Sequence, residues 1–258
     1  MSVFHALLLS ILEGFTEFLP ISSTGHLILA SRIMGITTTE FTKSFEIAIQ
    51  LGAILAIVVL YSKKIGRNPS VLKPIFFAFL PTAAVGLALY KIIKTYLLGN
   101  TLITILALAI GGIVLIAVDA IFKGKKERIS GLSKISLPMA VCIGFAQVVS
   151  VVPGVSRAAA TIVGAMTLGL SKETAIEFSF LLAIPTIVAA TALDLAKTSW
   201  SFTPNQLTLL AVGTIGSFVS AMLSIRFYLS FIKNRSFTLF GIYRILLALG
   251  FWFFVGVA

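Results

Sequence analysis

Residues 13–26, with the sequence EGFTEFLPISSTGH, interrupt an apolar run with a proline and a dense cluster of polar groups. Two carboxylates, three consecutive hydroxyls and an imidazole fall within these fourteen positions. The apolar region 2–35 around the break is too short for two full spans, because a bilayer core needs about 20 residues per helix. A broken pair of this kind predicts a re-entrant helix hairpin, which is tolerated only where its backbone lines a protein cavity.

The composition of the whole chain indicates a membrane protein. Of its 258 residues, 58% are apolar and only 11% are charged, whereas soluble domains carry about 25% charged residues. The formal net charge of +11 comes from short cation clusters between apolar runs. This pattern is typical of cytoplasmic membrane loops and excludes a nucleic-acid-binding surface.

Apolar stretches of spanning length place the remaining helices. These stretches are 41–62, 72–97, 101–122, 174–197, 204–232 and 236–257. A second broken region, 135–170, is interrupted by VVPGVSR. We therefore predict an all-α polytopic membrane protein with a single integral membrane domain over 1–258, about six transmembrane helices and two re-entrant hairpins.

The two broken regions resemble each other, which predicts an internal repeat. GFTE at 14–17 matches GFAQ at 144–147, and each is followed by a proline, hydroxyl residues and a long helix with a glutamate near its start, Glu46 or Glu177. Three predicted spans separate the hairpins, so the repeats, about 1–97 and 134–232, would be inverted. Inverted repeats with broken helices place a binding site near the midplane, where the breaks meet.

The distribution of cations predicts the orientation of the chain. The loops at 63–73, 123–134 and 233–235 share one side of the predicted topology and hold most of the lysines and arginines. Since cytoplasmic loops carry the excess of cations, both termini and the opening of the first hairpin are expected on the outer face.

Paired carboxylates begin the first break. Glu13 and Glu17 are one helical turn apart and so share a face, and in a membrane each is costly unless it is neutralised. A divalent metal, a shared proton or a cation would neutralise them. The alternative is that both side chains reach to the membrane surface.

Hydroxyl and imidazole groups follow these carboxylates. Ser22 and Thr24 stand where a new helix begins, and its free N–H groups could bind a phosphate or could simply be capped by these hydroxyls. Ser23 and His26 are three residues apart on one face, the pairing that a nucleophile and its base require.

The second break supplies the opposite charge. Arg157 begins a short helix beside Ser156, with Thr161 one turn further on. We expect these groups to bind phosphate, through bidentate contacts in the case of arginine; an ion pair between Arg157 and Glu13 or Glu17 is the alternative. Together the two breaks predict a phosphoryl-transfer site. A secondary transporter or flippase for an anionic lipid is the rival interpretation, because inverted repeats with broken helices are also typical of transporters.

Two further polar residues in apolar helices have predicted partners. Arg244 could pair with a buried carboxylate, and Asp194 with Lys197 has the spacing of a helix-end pair.

The chain resembles the undecaprenyl-diphosphate phosphatase family, of the bacitracin-resistance type, over essentially its whole length. The resemblance is carried by EGFTEFLPISSTGH, KSFEIAIQLGAILA, PGVSRAAATI and EFSFLLAIP. The family's glutamate-rich motif falls on Glu13 and Glu17, its Ser-Ser-Thr-Gly-His motif on 22–26, and its Pro-Gly-x-Ser-Arg motif on 153–157. The family motif usually continues with serine, where this chain has Ala158.

This resemblance implies hydrolysis of a C55 polyprenyl diphosphate to the monophosphate at a site that opens to the outer face of the membrane. It also implies a divalent cation, Mg²⁺ or Ca²⁺, held by Glu13 and Glu17, and it suggests a homodimer. Ser23 or a water molecule would attack with His26 as base; a phosphohistidine at His26 is the competing version.

Overall fold

The computed structural model describes residues 1–122, 129–197, 202–234 and 236–254, which form ten α-helices and short connecting segments. The helices are α1 (Val3–Thr16), α2 (Ser23–Ile33), α3 (Glu40–Arg67), α4 (Leu72–Ile92), α5 (Thr101–Phe122), α6 (Leu137–Val148), α7 (Arg157–Thr167), α8 (Lys172–Lys197), α9 (Pro204–Asn234) and α10 (Phe237–Phe254). A π-helical segment, Ile93–Leu97, continues α4, and a 3₁₀ turn, Val149–Val151, continues α6.

Among the described residues, five segments are long and apolar enough to cross a membrane. They are Glu40–Arg67, Pro69–Leu97, Thr101–Phe122, Lys172–Lys197 and Pro204–Ile225. The sixth predicted span, 236–257, corresponds to α10, a shorter apolar helix, and residues 255–258 lie outside the described part. The prediction of an all-α polytopic membrane protein is confirmed. Of the cations that predict the orientation, Lys123, Lys125, Lys126, Arg128 and Arg235 also lie outside the described residues.

The two broken regions each form a pair of short helices. The first pair, α1 and α2, has 14 and 11 residues, and the second, α6 and α7, has 12 and 11. A helix of 11 residues is about 16 Å long, roughly half the thickness of a bilayer core. Each second helix therefore begins deep inside the protein.

Local backbone chemistry ends and restarts the helices at the breaks. Ser22 has a φ of 72°, in the left-handed region, and its Oγ accepts a hydrogen bond from the Gly25 N–H at 3.2 Å as α2 begins. At the second break, Gly154 supplies a φ of 93°, which glycine adopts without steric cost. Ser156 Oγ then accepts from the Ala159 N–H at 3.1 Å and caps α7.

Each broken region packs against a long helix of the other half of the chain. α1 lies along α9, and α6 lies along α4. Gly14 and Gly144 allow this close approach, because a Cβ at either would overlap the backbone of the facing helix. Ser224 Oγ donates to the Gly14 carbonyl at 3.0 Å, and Thr82 Oγ1 donates to the Gly144 carbonyl at 3.3 Å. An inverted repeat would produce such matching contacts, and the repeat itself stays a prediction.

Aromatic packing fixes the first break against α8. Phe18, directly after Glu17, is fully buried and meets the Phe180 ring edge to face, with ring centroids 5.2 Å apart. The break is thus held by the main apolar core, which also contains Phe178 and Ile54. Packing of this kind limits where the neighbouring carboxylate can lie.

Candidate functional site

The two breaks lie in direct contact. Arg157, at the start of α7, forms an ion pair with Glu17, at the end of α1, with 2.7 Å between Nη2 and Oε1. Ser156 Oγ donates to the carbonyl of Leu19 at 3.4 Å. The structure therefore brings together one carboxylate of the first break and the arginine of the second, 140 residues apart in sequence.

Glu17 is the centre of this contact, because each of its oxygens holds a different group. Oε1 accepts from Arg157, and Oε2 accepts from the Ser23 hydroxyl. The guanidinium of Arg157 also donates through Nη1 to the Ser179 carbonyl at 2.9 Å, while its Nε has no hydrogen-bond partner in the described ranges. A hydroxyl that donates to a carboxylate beside an arginine has the geometry of an activated nucleophile.

A cavity of about 410 Å³ opens from this contact. Its polar end is lined by Glu17, Ser22, Ser23, Thr24, Gln50, Ser156 and Arg157. Most of its remaining wall is apolar and includes Ile47, Phe79, Ala83, Leu87, Ile187 and Ala190. The cavity reaches Tyr90, Lys94 and Leu193, near the ends of α4 and α8. This lining, polar at one end and mostly apolar along the rest, suits a ligand with a charged head and an apolar tail.

Glu13 lies one helical turn before Glu17 and is not among the residues that line the cavity. It is fully buried, and within the described part of the chain neither of its carboxylate oxygens has a partner that meets hydrogen-bond geometry. Its carbonyl accepts from the Glu17 N–H at 3.0 Å, so the helical turn between the two glutamates is intact and their side chains share a face. An acidic group buried in this way needs a cation or a proton as its partner.

His26 is buried beside the cavity, and both of its ring nitrogens have hydrogen-bond partners. Its Nδ1 is 2.7 Å from the Ser22 carbonyl, which can only accept, so Nδ1 carries the proton. Nε2, 2.6 Å from the Tyr243 hydroxyl, then accepts from it, and the two rings stack. The structure does not bring Ser23 and His26 together as nucleophile and base. The catalytic role of His26 stays a prediction. The contacts of His26 favour a role in which its ring holds Ser22 in place.

The remaining predicted phosphate ligands divide into two groups. Ser22, Thr24 and Ser156 line the cavity, and Thr24 Oγ1 also accepts from Gln50 at 3.5 Å. Thr161 is fully buried outside the cavity lining. Its hydroxyl is 2.6 Å from that of Ser179 and donates to the Arg157 carbonyl at 2.9 Å, so it ties α7 to α8.

A buried ion pair lies at the other end of the cavity, and sequence reasoning missed it. Lys94 Nζ lies 2.6 Å from Asp194 Oδ1, which also accepts from the Tyr90 hydroxyl at 2.8 Å. Asp194 was expected to pair with Lys197, which has the spacing of a helix-end pair. The signal that could have indicated Lys94 is a lysine near the end of one apolar helix and an aspartate near the end of another.

Replacing Asp194 with Asn should destabilise the protein strongly, because it leaves the buried Lys94 ammonium without its main partner. Breaking a buried pair costs about 3–5 kcal/mol, which lowers the unfolding temperature by roughly 6–20 °C at this chain length. Glu40→Gln is the matched control, because Glu40 faces the same lysine at 3.5 Å with an exposed side chain. We expect a change of a few degrees at most for the control. Equal unfolding temperatures for the two variants would contradict the assignment.

Comparisons with known proteins place this chain in one family. The family model described as "Bacitracin resistance protein BacA" matches residues 6–250. The undecaprenyl-diphosphatase of Aquifex aeolicus is 47% identical over 249 residues, covering 96% of this chain and 97% of that protein. The undecaprenyl-diphosphatase of Wolinella succinogenes is 43% identical over 255 residues, covering 99% of both. Since the match extends over nearly the whole chain and includes both breaks, the chain belongs to the bacitracin resistance protein BacA family.

Proposed function

We propose that this membrane protein hydrolyses undecaprenyl diphosphate to undecaprenyl phosphate and inorganic phosphate. The observation that carries the proposal is the position of Glu17, which holds the Ser23 hydroxyl and the Arg157 guanidinium at the polar end of an apolar cavity. The names of the relatives support the same activity. Its product is the lipid carrier that peptidoglycan synthesis reuses, and its family is described by resistance to bacitracin.

Residues of both breaks take part in the proposed reaction. Ser23 Oγ attacks the terminal phosphorus, the bond from phosphorus to the bridging oxygen breaks, and Glu17 takes the Ser23 proton and passes it to the departing undecaprenyl phosphate. Water then attacks the phosphoserine and gives its proton to Glu17, which passes that proton to the Ser23 oxygen as the bond from this oxygen to phosphorus breaks and phosphate leaves. Arg157 and the N–H groups at the starts of α2 and α7 bind the phosphate oxygens.

A lipid transporter is the alternative on the same scaffold. A carrier for an anionic lipid needs complementary charge, which Arg157 supplies, but it needs no nucleophile. The hydrogen bond from Ser23 to Glu17 therefore favours the phosphatase.

Phosphate release from undecaprenyl diphosphate by the purified protein in detergent tests the proposal. We expect multiple turnovers with Mg²⁺ or Ca²⁺ present. Binding of the lipid without phosphate release would overturn the phosphatase and make lipid flipping in vesicles the next assay.

A divalent cation, Mg²⁺ or Ca²⁺, is part of the proposal, and the residues present fit one. The two oxygens of Glu13 are buried without hydrogen-bond partners among the residues that the structure describes, one turn from Glu17. No group of three or more His, Cys, Asp or Glu side chains with metal-site geometry occurs among the described residues. Two carboxylates completed by substrate phosphates and water are a usual environment for Mg²⁺. When bound by Glu13 and Glu17, the metal would neutralise charge on the diphosphate.

Removal of the metal should therefore abolish turnover. EDTA is expected to reduce phosphate release at least 100-fold, with recovery on addition of Mg²⁺ or Ca²⁺, because metals supply several kcal/mol of charge stabilisation. Glu13→Gln should raise the half-saturating metal concentration about tenfold, since it loses one charged ligand. It should also weaken the rise in unfolding temperature that Mg²⁺ produces in the wild type. Undiminished turnover in EDTA would contradict the metal assignment.

The proposed orientation has the active site and both termini on the outer face of the bacterial plasma membrane. The cavity extends from the breaks towards Lys94 and Leu193, at the end of the bundle opposite the cation-rich loop 63–73. The positive-inside tendency then puts the opening outside. A homodimer, suggested by the family resemblance, stays a prediction.

A further inference from the structure

Arg244 is a buried cation that the proposed reaction does not use. It lies within the apolar helix α10 and is 1% exposed. It was expected to pair with a carboxylate, but among the described residues it forms no ion pair with one. Instead its guanidinium donates to backbone carbonyls of the described residues, at 2.7–3.3 Å.

These carbonyls belong to three different parts of the chain. Nη1 donates to Pro20 in the first break at 3.2 Å, and Nη2 donates to Gly154 in the second break at 2.7 Å. Nε and Nη2 also donate to the carbonyls of Leu108 and Ala107 on α5, at 3.3 and 3.0 Å. One planar group therefore joins both breaks to the same helix.

The packing of α5 leaves space for this guanidinium. A Cβ at Gly111 would overlap the Arg244 terminal nitrogens. An apolar side chain would fill the same space without the cost of burying a charge, so helix packing alone does not account for an arginine here. The fixed fork of N–H donors on arginine does account for it, because this fork can hold two loops at a fixed distance from each other.

We propose that Arg244 is a positioning residue of the phosphatase site. By fixing the carbonyls of Pro20 and Gly154, it sets the first break, with Ser23 and Glu17, at the correct distance from Arg157 in the second. The inference rests on the proposed function for its kinetic consequences, and its structural consequence can be measured independently.

Two substitutions disturb the guanidinium in different ways. Arg244→Lys keeps the charge but cannot bond Pro20 and Gly154 together, and Gly111→Ala displaces the guanidinium from α5. We expect each to lower kcat for undecaprenyl diphosphate at least tenfold while KM changes less than threefold. Misalignment weakens contacts made in the transition state, whereas the apolar cavity that binds the prenyl tail is untouched.

Two glycine variants serve as controls for packing. A Cβ at Gly250, also on α10, meets open space, so Gly250→Ala should match the wild type. A Cβ at Gly241 would meet the Gly112 carbonyl and Ile116, so Gly241→Ala loosens the same pair of helices without contacting the guanidinium. If the two variants lose the same amount of thermal stability, Gly241→Ala should retain more turnover than Gly111→Ala. Equal loss in these two variants, or a kcat within twofold of wild type in Arg244→Lys, would overturn the proposal.

Spin labels measure the position of the breaks without any turnover. Phe15 and Val149 are exposed residues close to the first and second breaks, and labels there in a Cys142→Ser background report the distance between them. We expect a narrow distribution in the otherwise wild-type protein and a broader or shifted one with Arg244→Lys. An unchanged distribution would overturn the positioning role. A changed distribution in a protein that releases no phosphate would support positioning and reject the phosphatase instead.

Discussion

Replacing Glu17 with Gln is expected to reduce phosphate release from undecaprenyl diphosphate by roughly 10³-fold, within the range that loss of a general base produces. The amide cannot take the Ser23 proton, and it no longer carries the charge that pairs with Arg157. Neighbouring core residues hold the polar groups around Glu17 in place. The lower rate of phosphate release should therefore come from a lower kcat. The measurement is steady-state phosphate release in detergent at saturating metal.

Glu177→Gln is the matched control for this variant. Glu177 lies on α8 and pairs with Lys64 of α3, away from the residues that line the cavity. It should keep turnover within about twofold of wild type, as expected for a side chain that does not touch the reacting atoms. A Glu17→Gln protein that retains more than a tenth of the wild-type rate would remove Glu17 from the role of base.

Replacing Arg157 with Lys is expected to lower turnover by about 10²-fold, although the charge is kept. Lysine is a point charge without the planar fork of arginine, so it cannot bond Glu17 and the Ser179 carbonyl as Arg157 does at 2.7 and 2.9 Å and also donate to a phosphate. Removing one preorganised donor from a transition-state site costs about 10²–10³-fold. Kinetic constants for the purified variant give the result.

Arg67→Lys provides the comparison, because Arg67 is exposed at the end of α3. The same exchange there should leave kcat and KM unchanged. If Arg157→Lys also kept full activity, a simple positive charge would suffice at the second break, and bidentate binding of phosphate would be wrong.

The sequence predicted the parts of this molecule that depend on local pattern. Apolar length located the spanning helices, and the short apolar pieces around PISSTG and VVPGVSR located both breaks. Charge indicated the partners at the breaks, since a carboxylate pair and an arginine in apolar surroundings need opposite charges beside them. The ion pair between Glu17 and Arg157 is one of the two alternatives that this reasoning left open.

Contacts between distant helices could not be predicted in the same way. The bond between His26 and Tyr243 joins residues 217 positions apart, and no local period indicates which face of α10 meets α2. The spacing of Ser23 and His26 predicted a catalytic pair because both lie on one helical face. The nearer partner of Ser23 is Glu17, which the chain reversal at Pro20 brings back over the start of α2.

A double-mutant cycle tests whether the two breaks form one phosphatase site. Phosphate release is measured for wild type, Glu17→Gln, Arg157→Lys and the double variant under one set of conditions. Residues that act as a unit are strongly non-additive, so we predict that the double variant retains a rate within about tenfold of Glu17→Gln alone. Losses that multiply, to roughly 10⁵-fold on the estimates above, would mean that the two residues act independently and would contradict a single shared site.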